Sequence, residues 1–468
     1  MKKILAAIII TTISIGVIAP KFVGNQFSET LHSIADKVND MPGYTLEIQA
    51  MNSQWFTTDA SLVFSLDTAK LTGVPESTLA EDYSVVIKIN AEHGPFIFNE
   101  QSNLALLSWA ASIDGQALRE QLVWSENKDF YQVNGVMNLL GNHSYQDKIE
   151  AFSTSDTPDT VNMVFSGYQG SGQYDGEAFS YKGGATDLTA TAEKGDFVMK
   201  NLTIDMQIKA SLEQIYNSGL YDSETVLNFA SIKFSDKIEE NINLTDLYVT
   251  AASFLDKEKQ QGDMQLSYGV KAGDINKYHV EDIALDIAVN NISGKFVKAY
   301  QTFSQTLGDV NAEDMQEKML GFAQDNLLTL LSTEPQINIT SLRGTFPEGK
   351  FIGTMHTSLV GVSALPTPLE DQKFWLAHAL VNGKVTGDKA VIELFAKQFM
   401  KQQLQANPQT QEMSTEEIDQ MAAQQVPQML DMLTQQGLLV ATDSHYTTDF
   451  VLKDSQFKVN EKLIPLAL

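Results

Sequence analysis

No cysteine occurs in the 468 residues. That excludes disulfides, thiolate nucleophiles and cysteine-ligated zinc, and it is compatible with an oxidising compartment. Basic residues are scarce, 32 against 59 acidic ones, for a formal net charge of -27. Phosphate binding needs clustered lysine and arginine, so nucleic acid is not an expected partner. Long apolar runs are missing beyond the first 23 residues, where later stretches are short and broken by charge or glycine, so no second membrane span is expected. Nucleotide signatures are missing as well. In Gly170-Ser171-Gly172-Gln173-Tyr174-Asp175-Gly176 the third glycine comes one place late for a dinucleotide fingerprint, and no Gly-Lys-Ser/Thr box exists. There is no Gly-x-Ser-x-Gly elbow. Ser125-Glu126-Asn127-Lys128 has the Ser-x-x-Lys spacing of penicillin-binding enzymes but no Lys-Thr-Gly box downstream. With 43% hydrophobic and 19% charged residues, the chain can fill a core. Its length suits one very large domain or two to three ordinary ones.

The one long apolar run is at the N-terminus. Lys2 and Lys3 precede Ile4 to Pro20, a basic segment followed by a hydrophobic one, as in a secretory signal. Val17 and Ala19 would serve a cleavage site, but Pro20 would then follow the cut. Extended through Phe22 and Val23, the run reaches roughly 20 residues, enough to cross ~30 Å of hydrocarbon. An uncleaved anchor over residues 1–23 is therefore expected, with the lysines cytoplasmic and the rest translocated. Phe27, Leu31, Ile34 and Val38 recur at helical spacing. They predict an amphipathic exit helix over 24–43, ended by Met41-Pro42-Gly43.

From residue 44 to 468 the patterning predicts a β-rich body. Strands are expected at Tyr44 to Ile48, Ser61 to Leu66 and Tyr83 to Asn90. Leu202, Ile204, Met206 and Ile208 alternate with polar residues, as do Met264 to Val270 and Ile283 to Val289. A period of two means one buried and one wet face, the mark of antiparallel sheet. Between Ile242 and Val249 the alternation slips by one, which suggests a bulge. Asn201 to Asp205 recurs as Asn243 to Leu247 and loosely as Asp282 to Asp286, about forty residues apart, as in repeated β units of an elongated sheet. The tyrosine-interleaved glycines from Gly167 to Gly184 read as hairpin turns. Helical pairs are expected at about 295–331 and 389–436. Ser414 with Glu417 makes a capping box, Gly437 is a stop, and Pro427 is a kink. Gln402 to Gln411 is the best linker. The fold class is thus α+β: an N-terminal transmembrane anchor, then a large, elongated, mainly antiparallel β body with helical pairs in its C-terminal half.

Several local features together resemble one family. They are the lysine-led anchor, the exit helix, Trp55-Phe56-Thr57-Thr58, Glu92-His93-Gly94-Pro95-Phe96 after a strand, Tyr446 to Leu452, Val459-Asn460-Glu461-Lys462 and Ile464-Pro465-Leu466. The chain resembles the YdgA-like family of gammaproteobacterial inner-membrane proteins, a family of unknown function. The resemblance implies an inner-membrane anchor and a periplasmic body, and it supplies no catalytic residues. Glu461 stands where the family pattern has glycine.

His93 is the most tempting chemical group, since Glu92 beside it would tune an imidazole. Strand neighbours, however, point to opposite faces, and Gly94-Pro95 is a turn signature. The structural expectation is a turn with Phe96 plugging the core. The other six histidines are scattered and form no metal spacing. No cofactor is expected. Met400, Met413, Met421, Met429 and Met432 suit an adaptable apolar surface, packed on the sheet or offering a groove to acyl chains or a partner helix. The leading expectation is a non-enzymatic, membrane-tethered periplasmic scaffold or envelope-maintenance factor. Its partners would be the membrane, a lipid or periplasmic protein, and, left open, a second copy of itself. An AsmA-like lipid carrier and an envelope hydrolase at His93 are the rival readings.

Overall fold

Helix α1 (Lys2–Asn39) leads into a body built of antiparallel strands. The computed structural model describes residues 2–41, 43–67, 83–97, 104–154, 161–236, 241–276, 278–306, 312–407 and 413–466, with the side chains of α1 described from residue 19 onward. Among these residues there are seven α-helices, and strands predominate. The chain divides into two compact units. One is Met1–Leu227 with Val297–Ala323, the other Asn228–Phe296 with Gln324–Leu468. The crossings fall inside β13 (Asp222–Asp236), α3 (Gly294–Gln305) and α4 (Ala312–Leu331). No linker composition marks them because the chain changes unit within regular elements. Of the expected linker, Gln402 to Ala406 are helical and 408–411 lie outside the described residues.

In the first unit, β1 (Tyr44–Ser53), β2 (Thr57–Leu66), β3 (Tyr83–His93), β4 (Leu107–Ile113), β6 (Tyr131–Met137), β7 (His143–Ile149), β10 (Tyr168–Tyr174), β11 (Phe179–Thr191) and β12 (Gly195–Lys209) pair antiparallel in that order. A short branch of β5 (Leu122–Val123), β8 (Phe152–Thr154) and β9 (Asn162–Phe165) joins β11. Helix α2 (Leu212–Ser218) follows β12 and opens on a Ser211–Gln214 capping box. Helix α1 lays Leu31 and Ala35 on Leu46, Ala60, Leu62 and Ile89 of the sheet. The Asn39 side chain acts as one more strand residue. It accepts from Leu46 N–H (2.7 Å) and donates to the Leu46 carbonyl (3.2 Å), satisfying groups that would otherwise be orphaned where α1 covers β1.

Two expectations are corrected in α1. Anchor and exit segment form one helix without a break. Its seam also differs: Ile34 is 45% exposed, while Ala35 is buried. Pro20, Gly24, Leu31 and Ala35 are the buried positions. Spacings of four, seven and four keep them on one side of a helix of 3.6 residues per turn, whereas Ile34 falls beside that seam. No helix among the described residues is long and apolar enough to cross a membrane. The side chains of residues 2–18, on which the anchor expectation rests, lie outside those described.

In the second unit, β14 (Asn241–Asp256), β15 (Gln261–Ile275), β16 (Tyr278–Ser293), β17 (Gln336–Phe346), β18 (Gly349–Leu359), β19 (Ala379–Asp388), β21 (His445–Lys453), β22 (Gln456–Val459) and β23 (Lys462–Ile464) pair antiparallel in order, with β20 (Val440–Ala441) also on β21. Against β15 the slip near residue 246 brings no register shift. Thr245 pairs with Ala272 and Leu247 with Val270, so the register holds on both sides. The kink is Asp246 itself, at φ +50°, a left-handed conformation that Asn and Asp tolerate better than other side chains. Asn201 and Asp282, each the first residue of its repeat segment, take the same conformation, whereas in the middle segment it falls on Asp246, three residues after Asn243.

Helix α5 (Gln372–His378) precedes β19, and the second helical pair is α6 (Lys389–Ala406) and α7 (Thr415–Gln435). The Ser414–Glu417 capping box is formed. Pro427 lies inside α7 without dividing it. Three of the five methionines pack helix on helix rather than on the sheet: Met400, Met413 and Met421 surround Leu404, Ile418 and Ala422, while Met432 is 50% exposed.

Candidate functional site

The turn after β3 brings three elements together. His93 N–H donates to the Phe56 carbonyl (2.7 Å) and Gly94 N–H to the Leu106 carbonyl (2.8 Å). Gly94 is needed for this approach, because a Cβ there would meet the Ala105 carbonyl oxygen at 1.5 Å. The imidazole is 1% exposed. It points back under α1, where a Cβ on Gly24 would stand 2.3 Å from His93 Cε1. The ring therefore fills the notch that a glycine leaves in the helix.

Hydrogen bonding defines the state of the ring. The Thr58 hydroxyl, fully buried, donates to Ser53 Oγ (3.1 Å), which leaves it to accept from His93 Nε2 (3.0 Å). Nδ1 is then a bare acceptor, buried without a hydrogen bond. Burial lowers the imidazole pKa and Lys21 lowers it further. The Trp55 backbone, which favours the proton, weighs less than burial. The ring is held neutral. Glu92 does not meet it: Glu92 pairs with Thr57 and Ser108, while His93 pairs with Leu107, on the opposite face. Phe96 does not plug the core. It is 48% exposed, and Ile97 is buried instead. The bridge of Phe96 to Leu104 turns Phe96 outward, so the buried position falls one residue later.

A serine, a histidine and an aspartate also converge, unannounced by any motif. Ser444 Oγ lies 2.7 Å from His445 Nδ1 and His445 Nε2 lies 3.0 Å from Asp388. The two nitrogens are used in the reverse of a catalytic triad's order. Asp388 also accepts from Lys350 N–H (2.8 Å), and the imidazole is half exposed. The cluster ties strand ends together and is not arranged to activate a nucleophile.

The glycines expected in turns lie mostly within strands. Only Gly176 turns the β10–β11 hairpin, at φ +96°. Gly170, Gly172 and Gly183 leave the space that Tyr181, Tyr145 and Tyr168 occupy, since a Cβ at each would stand 2.1–2.3 Å from a tyrosine ring or hydroxyl. Tyr168 and Tyr181 share a hydrogen bond, and Tyr181 reaches Asp147 (3.1 Å). Burial first, then the Asp147 charge, pushes Tyr145 up to about 12. The result is a rigid aromatic face on the first unit's sheet.

The second unit carries a different face. Cross-strand partners share a side of the sheet. Val249, Tyr268, Leu285 and Leu342 form one row, Ala251, Leu266, Ile287, Ile339 and Met355 the next, and Met264, Val289 and Ile337, then beyond Thr357 Val381 and Leu452, a third. Helix α6 covers one end of it, where Phe395 packs edge-on against Phe346 and Phe351 at 5.3 Å. Elsewhere Met264, Tyr268, Ile337 and Leu342 are exposed, Ile337 by 54%. Among the described residues no group of histidines and carboxylates could hold a metal ion.

Comparison with known proteins returns no curated protein and no solved structure. One family model, described as bacterial protein of unknown function, DUF945, matches residues 1–467, and the chain belongs to that family.

Proposed function

We propose that this protein is a YdgA-like, inner-membrane-tethered periplasmic protein, with α1 as its tether. It acts without catalysis, as an envelope-maintenance factor that binds lipid acyl chains on the apolar face of its second unit. The observation that carries this reading is that three largely apolar rows cross four to six strands and leave Met264, Tyr268, Ile337 and Leu342 exposed. Contiguous apolar patches of this kind are uncommon on monomers unless something covers them. The lysine-led apolar run at the N-terminus supports lipid as the occupant, because it would hold the chain at a bilayer surface.

The rivals fit less well. A carrier in the AsmA manner needs an apolar path without interruption along its sheet, and the tyrosine face of the first unit's sheet holds Asp147. A hydrolase at His93 needs a carboxylate partner and an opening, whereas the ring bonds Thr58 and is buried. The test is native mass spectrometry of the full chain in mild detergent, with lipid extraction. Phospholipid should copurify with the wild type and fall at least tenfold in a Met264→Glu/Ile337→Glu variant of unchanged circular dichroism. Lipid-free wild-type protein, equal lipid in both, or a dimer that occludes the face would sink the reading.

A further inference from the structure

We propose that the polar face of the first unit's sheet is a groove for an uncharged oligosaccharide strand. The proposal is independent of the lipid reading and uses the other unit. Asn134, Gln146, Ser171 and Lys182 are successive cross-strand partners on β6, β7, β10 and β11, and Ser144, Gln173, Ser180 and Gln207 form the next row on the same face. Together they line a cavity of about 730 Å³. It runs through shared residues into neighbouring cavities of about 550 Å³ near Asn138 and about 460 Å³ near Gln132. From position 132 to 138 a strand covers ~20 Å at ~3.4 Å per residue, which suits an oligomer better than a single sugar.

The lining chemistry narrows the ligand. Carboxamides donate and accept, and hydroxyls do both. Among the described residues, the amides of Asn134, Gln146 and Gln173 have no protein partner. On the two central rows the cation is already paired, Lys182 with Asp205 at 2.8 Å, and Lys148 beside them is paired with Glu150; Lys209 lies at the flank near Asn138, so the centre of the groove does not invite an anion. Val136 is the one aliphatic side chain on these rows, which leaves little for an acyl chain. A peptide cannot add as a strand, because β7, β10 and β11 are paired on both sides. A neutral, hydroxyl-rich ligand matches the carboxamides and hydroxyls of the two central rows. The tyrosines seated on glycines behind the groove hold its floor rigid, and rigid donors lose less entropy on binding.

The experiment is titration of the full-length protein with fluorescently labelled chitopentaose and cellopentaose, read by anisotropy. Saturable binding of at least one is expected, weakened at least tenfold in a Gln146→Ala/Gln173→Ala variant with an unchanged melting temperature. The Met264→Glu/Ile337→Glu variant should bind like wild type, so the two readings fail separately. Absence of binding by both sugars at millimolar concentration, binding indifferent to the amide substitutions, or tighter binding of a sulfated glycan would overturn the proposal.

Discussion

Around His93 the first unit is closed: Thr58, His93, Ile97 and Leu62 are all at most 2% exposed. The apolar face of the second unit has the same period-two alternation, yet Ile337 at its centre is 54% exposed. Strand patterning is equal in both regions, so alternation by itself does not say whether a face is finished. What differs is the cover. Helix α1 supplies Leu31 and Ala35 over β1 to β3, while α6 reaches only the Phe346–Phe351 end of the other face. A covered face is a core, and an uncovered one is available for binding.

Truncation should separate the two regions most strongly. Leu62→Ala removes a fully buried side chain and should cost about 2–5 kcal/mol, whereas Ile337→Ala should cost under about 1 kcal/mol. Urea unfolding monitored by tryptophan fluorescence measures both. Equal losses would mean that the second face is covered after all. A sharper probe of the joint is Gly24→Ala, whose methyl would overlap the imidazole. It should destabilise by about 1–3 kcal/mol, and His93→Ala in the same chain should restore part of the loss. Two additive losses would show that helix and ring do not interlock.

The joint is also the pH-sensitive region. His93 has a lowered native pKa, so the unfolded chain binds its proton first as pH falls below about 6.5. Stability should then drop by up to about 1.4 kcal/mol per pH unit until the native pKa is reached. His143 is lowered by burial too, so the decisive measurement is the difference between wild type and His93→Gln. A wild-type profile parallel to the variant's from pH 7.5 to 5 would remove His93 as the source. His279 has the opposite sign: Asp274 and Glu281 raise its pKa, so its contribution is present at low pH and lost on going up.

The elements were legible where one local rule decided them. Tyr44, Ser61 and Tyr83 each fall in a strand, Ser414 caps α7, and Leu202 to Ile208 lie on one face, because capping and alternation are read within a few residues. Partners distant in sequence were not legible. Gly24 and His93 are 69 residues apart, and nothing local says that a helix glycine receives a strand histidine. Ser444 and Asp388 are likewise brought together by the pairing of β19 with β21 and the Lys389 N–H bond to the Ser444 carbonyl. The glycines between Gly167 and Gly184 were visible but misplaced, since glycine marks a turn and a seat for a tyrosine equally well. Nothing in the sequence says which apolar face will lack a cover, because that depends on where helices of matching length are delivered.

The smallest effect concerns the last hairpin, where a sequence feature acquires a geometric reason. Val459 pairs with Lys462, so Asn460 and Glu461 form a two-residue loop, and their φ angles are +46° and +65°. Both central residues of such a turn need positive φ, which is why Asn-Gly is favoured there. Asn460 suits its position, bonding Asp449 N–H (2.9 Å) and the Gly437 carbonyl (3.1 Å). Glu461 carries a Cβ in a conformation that costs about 1–2 kcal/mol for an L-residue. Glu461→Gly relieves that strain while the unfolded chain gains freedom, worth roughly 0.4–1 kcal/mol the other way. A net gain of up to about 1 kcal/mol should show as a higher urea midpoint, and Glu461→Val as a lower one. If glycine lowers the midpoint, the carboxylate of Glu461 contributes more to this hairpin than the backbone strain removes.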